Sequence, residues 1–109
     1  MTTSQQLNQA RLSLQLQINQ QIPIVDKLAA DVASGSTWND INTRWDTSNV
    51  TVNNLEDNLI NLQVQNSGLQ GDPGRLRLAE QLVVNRQQVD SMQAKLSDMQ
   101  PASFSNLNA

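Results

Sequence analysis

Between Trp38 and Asn66 the chain places a core-type residue at intervals that alternate three and four: Trp38, Ile41, Trp45, Ser48, Val52, Leu55, Leu59, Leu62 and Asn66. No strand has that period, and a helix with that spacing must bury one narrow seam against another helix. The same signature recurs on both sides of this segment. Residues 3–33 carry Leu7, Leu14 and Leu28 at one heptad position and Ile18, Val25 and Val32 at the other, with Leu12, Leu16, Ile22 and Ile24 widening the stripe. Residues 73–99 carry Leu78, Leu82, Asn85, Val89, Met92, Leu96 and Met99. The reading is all-α: an antiparallel three-helix bundle or an extended helical hairpin with coiled-coil-like heptad seams. One helical domain spans residues 1–100, with helices at about 3–33, 38–67 and 73–99, and residues 101–109 form a tail.

The punctuation agrees with these bounds. Thr3 and Gln6 have the spacing of a capping box, as do Thr37 and Asp40. Gly35 stands where a helix end wants a left-handed residue. Asp72 reads as the N-cap of the third helix and Pro73 as its first residue. Two features oppose continuous helix. Pro23 deletes a backbone hydrogen bond and predicts a kink or split near residues 19–22. Residues 47–54, β-branched and Asn-rich, have poor helix propensity and need packing to hold them.

The seams are not purely apolar. Arg11, Gln21, Ser48, Asn66 and Asn85 interrupt them. A buried amide at a seam position fixes register and oligomer state, whereas at a seam edge it is merely solvated. Asn85, with apolar neighbours on both sides along the seam, is the best candidate for a register device. Trp38 and Trp45 share a face and serve either as core anchors or as an exposed hot spot for a partner helix. Phe104 and Leu107 in the polar tail form a candidate docking motif.

Composition narrows the function. The 109 residues are 38% apolar and 3% aromatic, so the chain has little material for a self-sufficient core. Its 13 Asn and 15 Gln outnumber the 17 charged residues. Helix faces rich in amides offer hydrogen-bonding groups without charge repulsion and suit lateral packing against copies. The net charge is −3 and no Lys/Arg stripe is present, which argues against nucleic acid and against an anionic membrane. Residues 73–109 hold Arg75, Arg77, Arg86 and Lys95 against three acids, and residues 1–72 hold three cations against seven, so a mildly basic last helix can lie along acidic earlier ones.

His and Cys are both absent, which removes the commonest general base, the strongest nucleophile and the thiolate metal ligands. Neighbours on a helix diverge, so Glu56 and Asp57 read as a solvated face rather than an acid–base pair. Gly68-Leu69-Gln70-Gly71-Asp72-Pro73-Gly74 precedes a helix, but it lacks the preceding strand and the Lys of a phosphate loop and reads as an interhelical turn. Asn49-Val50-Thr51 matches a glycosylation sequon by chance. Neither a signal peptide nor a membrane span is apparent.

Asp72-Pro73-Gly74-Arg75-Leu76, leading into an amphipathic helix, resembles the Pro-containing turn of needle and inner-rod subunits of type III secretion systems, small helical hairpins that polymerise. The resemblance covers only this turn and helix. Residues 101–109 depart from it, because those subunits end in the helix, and it does not assign the chain to that family. The expectation is a non-enzymatic structural subunit of a larger assembly (virion, tail or secretion apparatus) that needs no cofactor, metal or small-molecule substrate and acts through helix–helix self-association. The alternative is a soluble helical adaptor or chaperone-like module that binds a partner helix.

Overall fold

The computed structural model describes residues 2–99. Phe104 and Leu107 lie outside them. Three helices close on one another in a rod of 58 × 22 × 18 Å: α1 (Ser4–Ala33), α2 (Trp38–Ser67) and α3 (Arg75–Asp98). Cross-helix bonds define the order. Ser4 meets Asp72, Gln15 meets Gln88 and Asp26 meets Lys95, so α1 and α3 run parallel. Trp45 meets Leu96, Glu56 meets Arg86 and Asn66 meets Arg75, so α2 runs antiparallel to α3. The result is an up-down-up bundle rather than an extended hairpin.

The core is the set of seam residues. Every apolar position named for α2 from Ile41 to Leu62 is buried, as are Leu78, Leu82, Val89, Met92, Leu96 and Met99 of the third segment. In α1 the buried set is Leu7, Leu14, Ile18, Val25 and Leu28, with Val32 packed against it. Among the described residues, seventeen buried apolar side chains form one cluster along the rod, and only Trp45 of these is aromatic.

The helix ends obey local chemistry. Thr3 and Thr37 both complete capping boxes, with Gln6 and Asp40 reaching back to the cap backbone. At the end of α1 the N–H of Ser36 donates to Asp31 O at 3.0 Å and that of Gly35 to Val32 O at 3.0 Å, a Schellman motif. It requires the left-handed backbone that Gly35 adopts, with φ of 102°.

Two threats to helicity fail for identifiable reasons. α1 runs unbroken through Pro23. Pro23 and Asn19, whose carbonyl loses its donor, are both exposed residues, so the lost bond falls on the solvent side of the helix and not in the core. Residues 47–54 are helical because Ser48 and Val52 are pinned in the seam between Trp45 and Leu55. One boundary differs from expectation: α3 begins at Arg75, not Pro73, with Gly74 as a cap that makes no side-chain bond. Asp72 does bond the Gly74 N–H, at 2.9 Å, but its carboxylate is shared with Ser4 of α1. It therefore closes a turn ahead of the helix instead of capping it.

Gly35→Ala forces a Cβ into left-handed backbone. It is expected to lower stability by about 1 kcal/mol, read as a reduced midpoint in urea with an unchanged slope.

Candidate functional site

Asn85 is 1% exposed and Arg11 7% exposed, so a guanidinium and a carboxamide share the interior of a Leu/Val seam. Arg11 Nη1 donates to Asn85 Oδ1 at 3.1 Å, and Arg11 Nε donates to Asn8 Oδ1 at 2.8 Å. Asn85 Nδ2 donates to Gln15 Oε1 and, at 3.1 Å, to Gln88 Oε1. The layer thus joins α1 to α3 through Arg11, Gln15, Asn85 and Gln88. Among the described residues Arg11 has no carboxylate partner. Burial lowers its pKa, the direction expected when a charge is moved out of water. Ser48 and Asn66 are buried too, while Gln21 is half-buried, so most of the polar seam residues are not solvated edges.

A second polar group lies one residue along. Arg86 donates to Glu56 Oε1 through Nε at 3.1 Å and through Nη2 at 2.5 Å, and its Nη1 donates to Gln63 Oε1 at 2.9 Å. This corrects the reading of Glu56 as a solvated residue: Asp57 is exposed, whereas Glu56 is half-buried because a cation on α3 draws it against the seam.

The tryptophans sit at the other end of the rod. Their rings meet edge to face, with centroids 5.5 Å apart and planes at 62°. Trp45 is buried, and its indole N–H donates to Leu96 O at 2.8 Å, satisfying a carbonyl in the last turn of α3. Trp38 is half-buried and packed on the core. A face that presents both rings to a partner is therefore not what the fold provides.

Asp72 binds the two parallel helices at their starts. Its carboxylate accepts from the Ser4 hydroxyl, from the Ser4 N–H at 3.0 Å and from the Gly74 N–H. The Ser4 hydroxyl, followed by the two backbone donors, holds the Asp72 pKa below its ordinary value. Asp31 is lowered likewise by Lys27 and Arg44, and Asp40 by Thr37.

The chain matches no family model, no curated protein and no solved structure. Among the described residues no cluster of three or more metal-ligating side chains occurs, and no helix is long and apolar enough to cross a membrane. What the outer faces do carry is apolar bulk: Leu12, Leu16, Ile24, Val50, Ile60, Val64, Leu76, Val83 and Val84 are exposed.

Reading the seam alone missed Gln15, Gln88, Ser4 and the Glu56–Arg86–Gln63 group. All but Ser4 flank the seam, and their pairing depends on which helix lies beside which. The only available signal was charge: a basic third helix against acidic earlier segments.

Asn85→Ala strands the Arg11 charge and is expected to cost about 1–3 kcal/mol. The double variant Arg11→Met, Asn85→Leu should recover most of that loss or exceed the original, as apolar replacement of buried charge often does. Urea titrations of the single and double variants check both. Because the folded-state pKa of Asp72 is depressed, its contribution is complete above the ordinary Asp value of 3.8 and is lost as pH falls through the folded-state value. Melting curves of the original chain and Asp72→Ala should therefore differ by a constant amount at neutral pH and converge below about pH 4.

Proposed function

We propose that this chain is a non-enzymatic structural subunit that self-associates through the outer faces of its helices. The carrying observation is where the exposed apolar residues lie. With each helix divided at its midpoint, seven of the nine, namely Leu12, Leu16, Ile60, Val64, Leu76, Val83 and Val84, fall in the half that holds the starts of α1 and α3. That half carries Arg11, Arg75, Arg77 and Arg86 against Glu56, Asp57, Asp72 and Glu80, a balance of zero. The other half carries Lys27, Arg44 and Lys95 against six acids and so holds the whole net charge.

Scattered apolar residues are ordinary on a monomer. Their gathering in the neutral half supports association, because like-charge repulsion is absent there while apolar area is available. The amides between them, such as Gln17 and Asn61, supply partners for polar atoms buried at a contact. A virion, a tail or a secretion apparatus is the kind of assembly such a rod would serve. The adaptor alternative is less favoured, since the ring it would offer, Trp45, is committed to the core.

Light scattering behind a sizing column, over a hundredfold range of concentration, checks the proposal. A mass that rises with concentration or settles at a fixed multiple of 12.1 kDa is expected. A 12.1 kDa species at every concentration would overturn it.

A further inference from the structure

We infer that the groove between the second half of α1 and the middle of α3 is the seat of the chain's own residues 101–107, with Phe104 and Leu107 as the side chains that enter it. The groove has a volume of about 330 Å³ and is lined by Ile22 of α1 and by Val84, Gln87, Ser91, Met92 and Lys95 of α3, among others. That volume falls in the range of roughly 300–1,000 Å³ in which proteins hold multi-atom ligands, so it has room for more than one side chain. Three of its lining residues are large and apolar. Met92 is 3% exposed and belongs to the core, Ile22 packs against the core, and Val84 is left 54% exposed.

Reach selects the occupant. Residues 100–109 follow Met99 and lie outside the described residues. Met92 stands seven residues before Met99, roughly 10 Å back along α3, and Gln88 eleven before, roughly 16 Å back. Phe104 is five residues after Met99 and Leu107 eight, which at the 3.1 Å rise of a polyproline II path gives a reach of roughly 15 Å and 25 Å. Both arrive at the groove with chain to spare for a reversal at Pro101. Two other notches are too far for Phe104. One is lined by Ser4, Asn8 and Arg77, the other by Asn66 and Arg75. Their nearest lining residues on α3, Gln81 and Val83, stand roughly 27 Å and 24 Å back from Met99.

The chemistry agrees. Pro101, Phe104 and Leu107 recur every third residue, the period of a polyproline II chain, so both large side chains fall on one side, roughly 9 Å apart. The lining from Val84 to Lys95 spans roughly 16 Å and accommodates both. Phe104 is the chain's one Phe, and residues 100–109 carry no charged side chain. The groove asks for none, since Asp26 and Lys95 on its lining bond each other at 2.7 Å. A polyproline II backbone has no internal hydrogen bonds, and the exposed amide of Gln87 and hydroxyl of Ser91 offer it partners. The same residues of a second copy would match this chemistry, but attachment within one chain supplies an effective concentration on the order of millimolar, which favours the chain's own. Apart from Val84 the groove lies in the charged half, outside the surface proposed for self-association, so the two readings stand or fall separately.

The chain has no Cys, so Ser105→Cys gives one attachment point for a nitroxide label in the full chain. Nuclear magnetic resonance is expected to show the label broadening the backbone amide signals of Ile22, Gln88 and Ser91 and sparing those of Ile60 and Leu76. The selective broadening should vanish when Phe104→Ala and Leu107→Ala are combined, and that pair should lower the melting temperature by at least about 4 °C. Broadening spread evenly along the rod, or unchanged by the pair, overturns the inference. Ser91→Lys places a charge in the groove without touching any bond described above. Its helices should persist by circular dichroism while the selective broadening is lost, and broadening that survives it overturns the groove as the seat. Mixing nitroxide-labelled chain with isotope-enriched, label-free chain separates the sources: broadening in that mixture assigns the groove to a second copy and overturns docking within the chain.

Discussion

The contact between Arg11 and Asn85 constrains everything else in this bundle. A long guanidinium buried among Leu, Ile and Val is costly unless its donors meet acceptors. Here they meet Asn85 and Asn8, and Asn85 in turn is satisfied by Gln15 and Gln88. That set assembles only if α1 and α3 run parallel at one axial offset. A slip of one heptad would place Leu78 or Met92 against Arg11 and leave the guanidinium with Asn8 of its own helix as its one remaining partner among those named. Parallel neighbours joined through one intervening helix require α2 to run the other way, so a single polar layer restricts both topology and register.

Such a device is needed because the apolar seam discriminates poorly. Its members are nearly all Leu, Ile and Val, which pack about as well when shifted by seven residues. Axial position is pinned again at each end by bonds with no counterpart one heptad away: Asp72 to Ser4 where α1 and α3 begin, and Trp45 to the Leu96 carbonyl where α3 ends. With so few aromatics to give the core a distinctive shape, hydrogen bonds supply the specificity that bulky rings supply elsewhere. Packing supplies the rest of the helicity. Residues 47–54 would be poor helix in isolation, yet Ser48 and Val52 hold them in the seam.

How much of this is legible in the sequence depends on which residues carry it. The buried face of α2 reads directly, because a three-four spacing calls for a helix with one apolar stripe, and from Ile41 to Asn66 each position of that spacing is buried while Trp38 is half-buried. The capping boxes at Thr3 and Thr37 read directly because both partners lie within one turn. Asn85 stands out as a polar residue flanked by apolar ones on its seam, but its partners do not. Arg11 sits at a comparable seam position 74 residues away, and nothing in either segment says that their helices are neighbours. The same holds for Asp72, which looks like an ordinary N-cap until the start of α1 arrives beside it. Local chemistry is written locally; a contact between distant segments depends on helix order, which heptads do not encode.

The outer faces carry the remaining argument. A core limited to one thin cluster gives a rod 22 Å by 18 Å in section, and such a rod exposes much of each helix. Net charge on exposed surfaces keeps copies of a small domain apart. This chain uses amides instead and concentrates its net charge in the half that bears the tryptophans, leaving Leu76, Val83, Ile60 and Val64 in a half without net repulsion. An amide surface hydrates well enough to remain dissolved, yet forms hydrogen bonds on contact without a salt-sensitive charge pair. Association through such faces should therefore persist when ionic strength rises, whereas contacts built on Asp26, Lys95 or Arg44 would weaken. That difference separates packing by the neutral half from attraction between the charged ends.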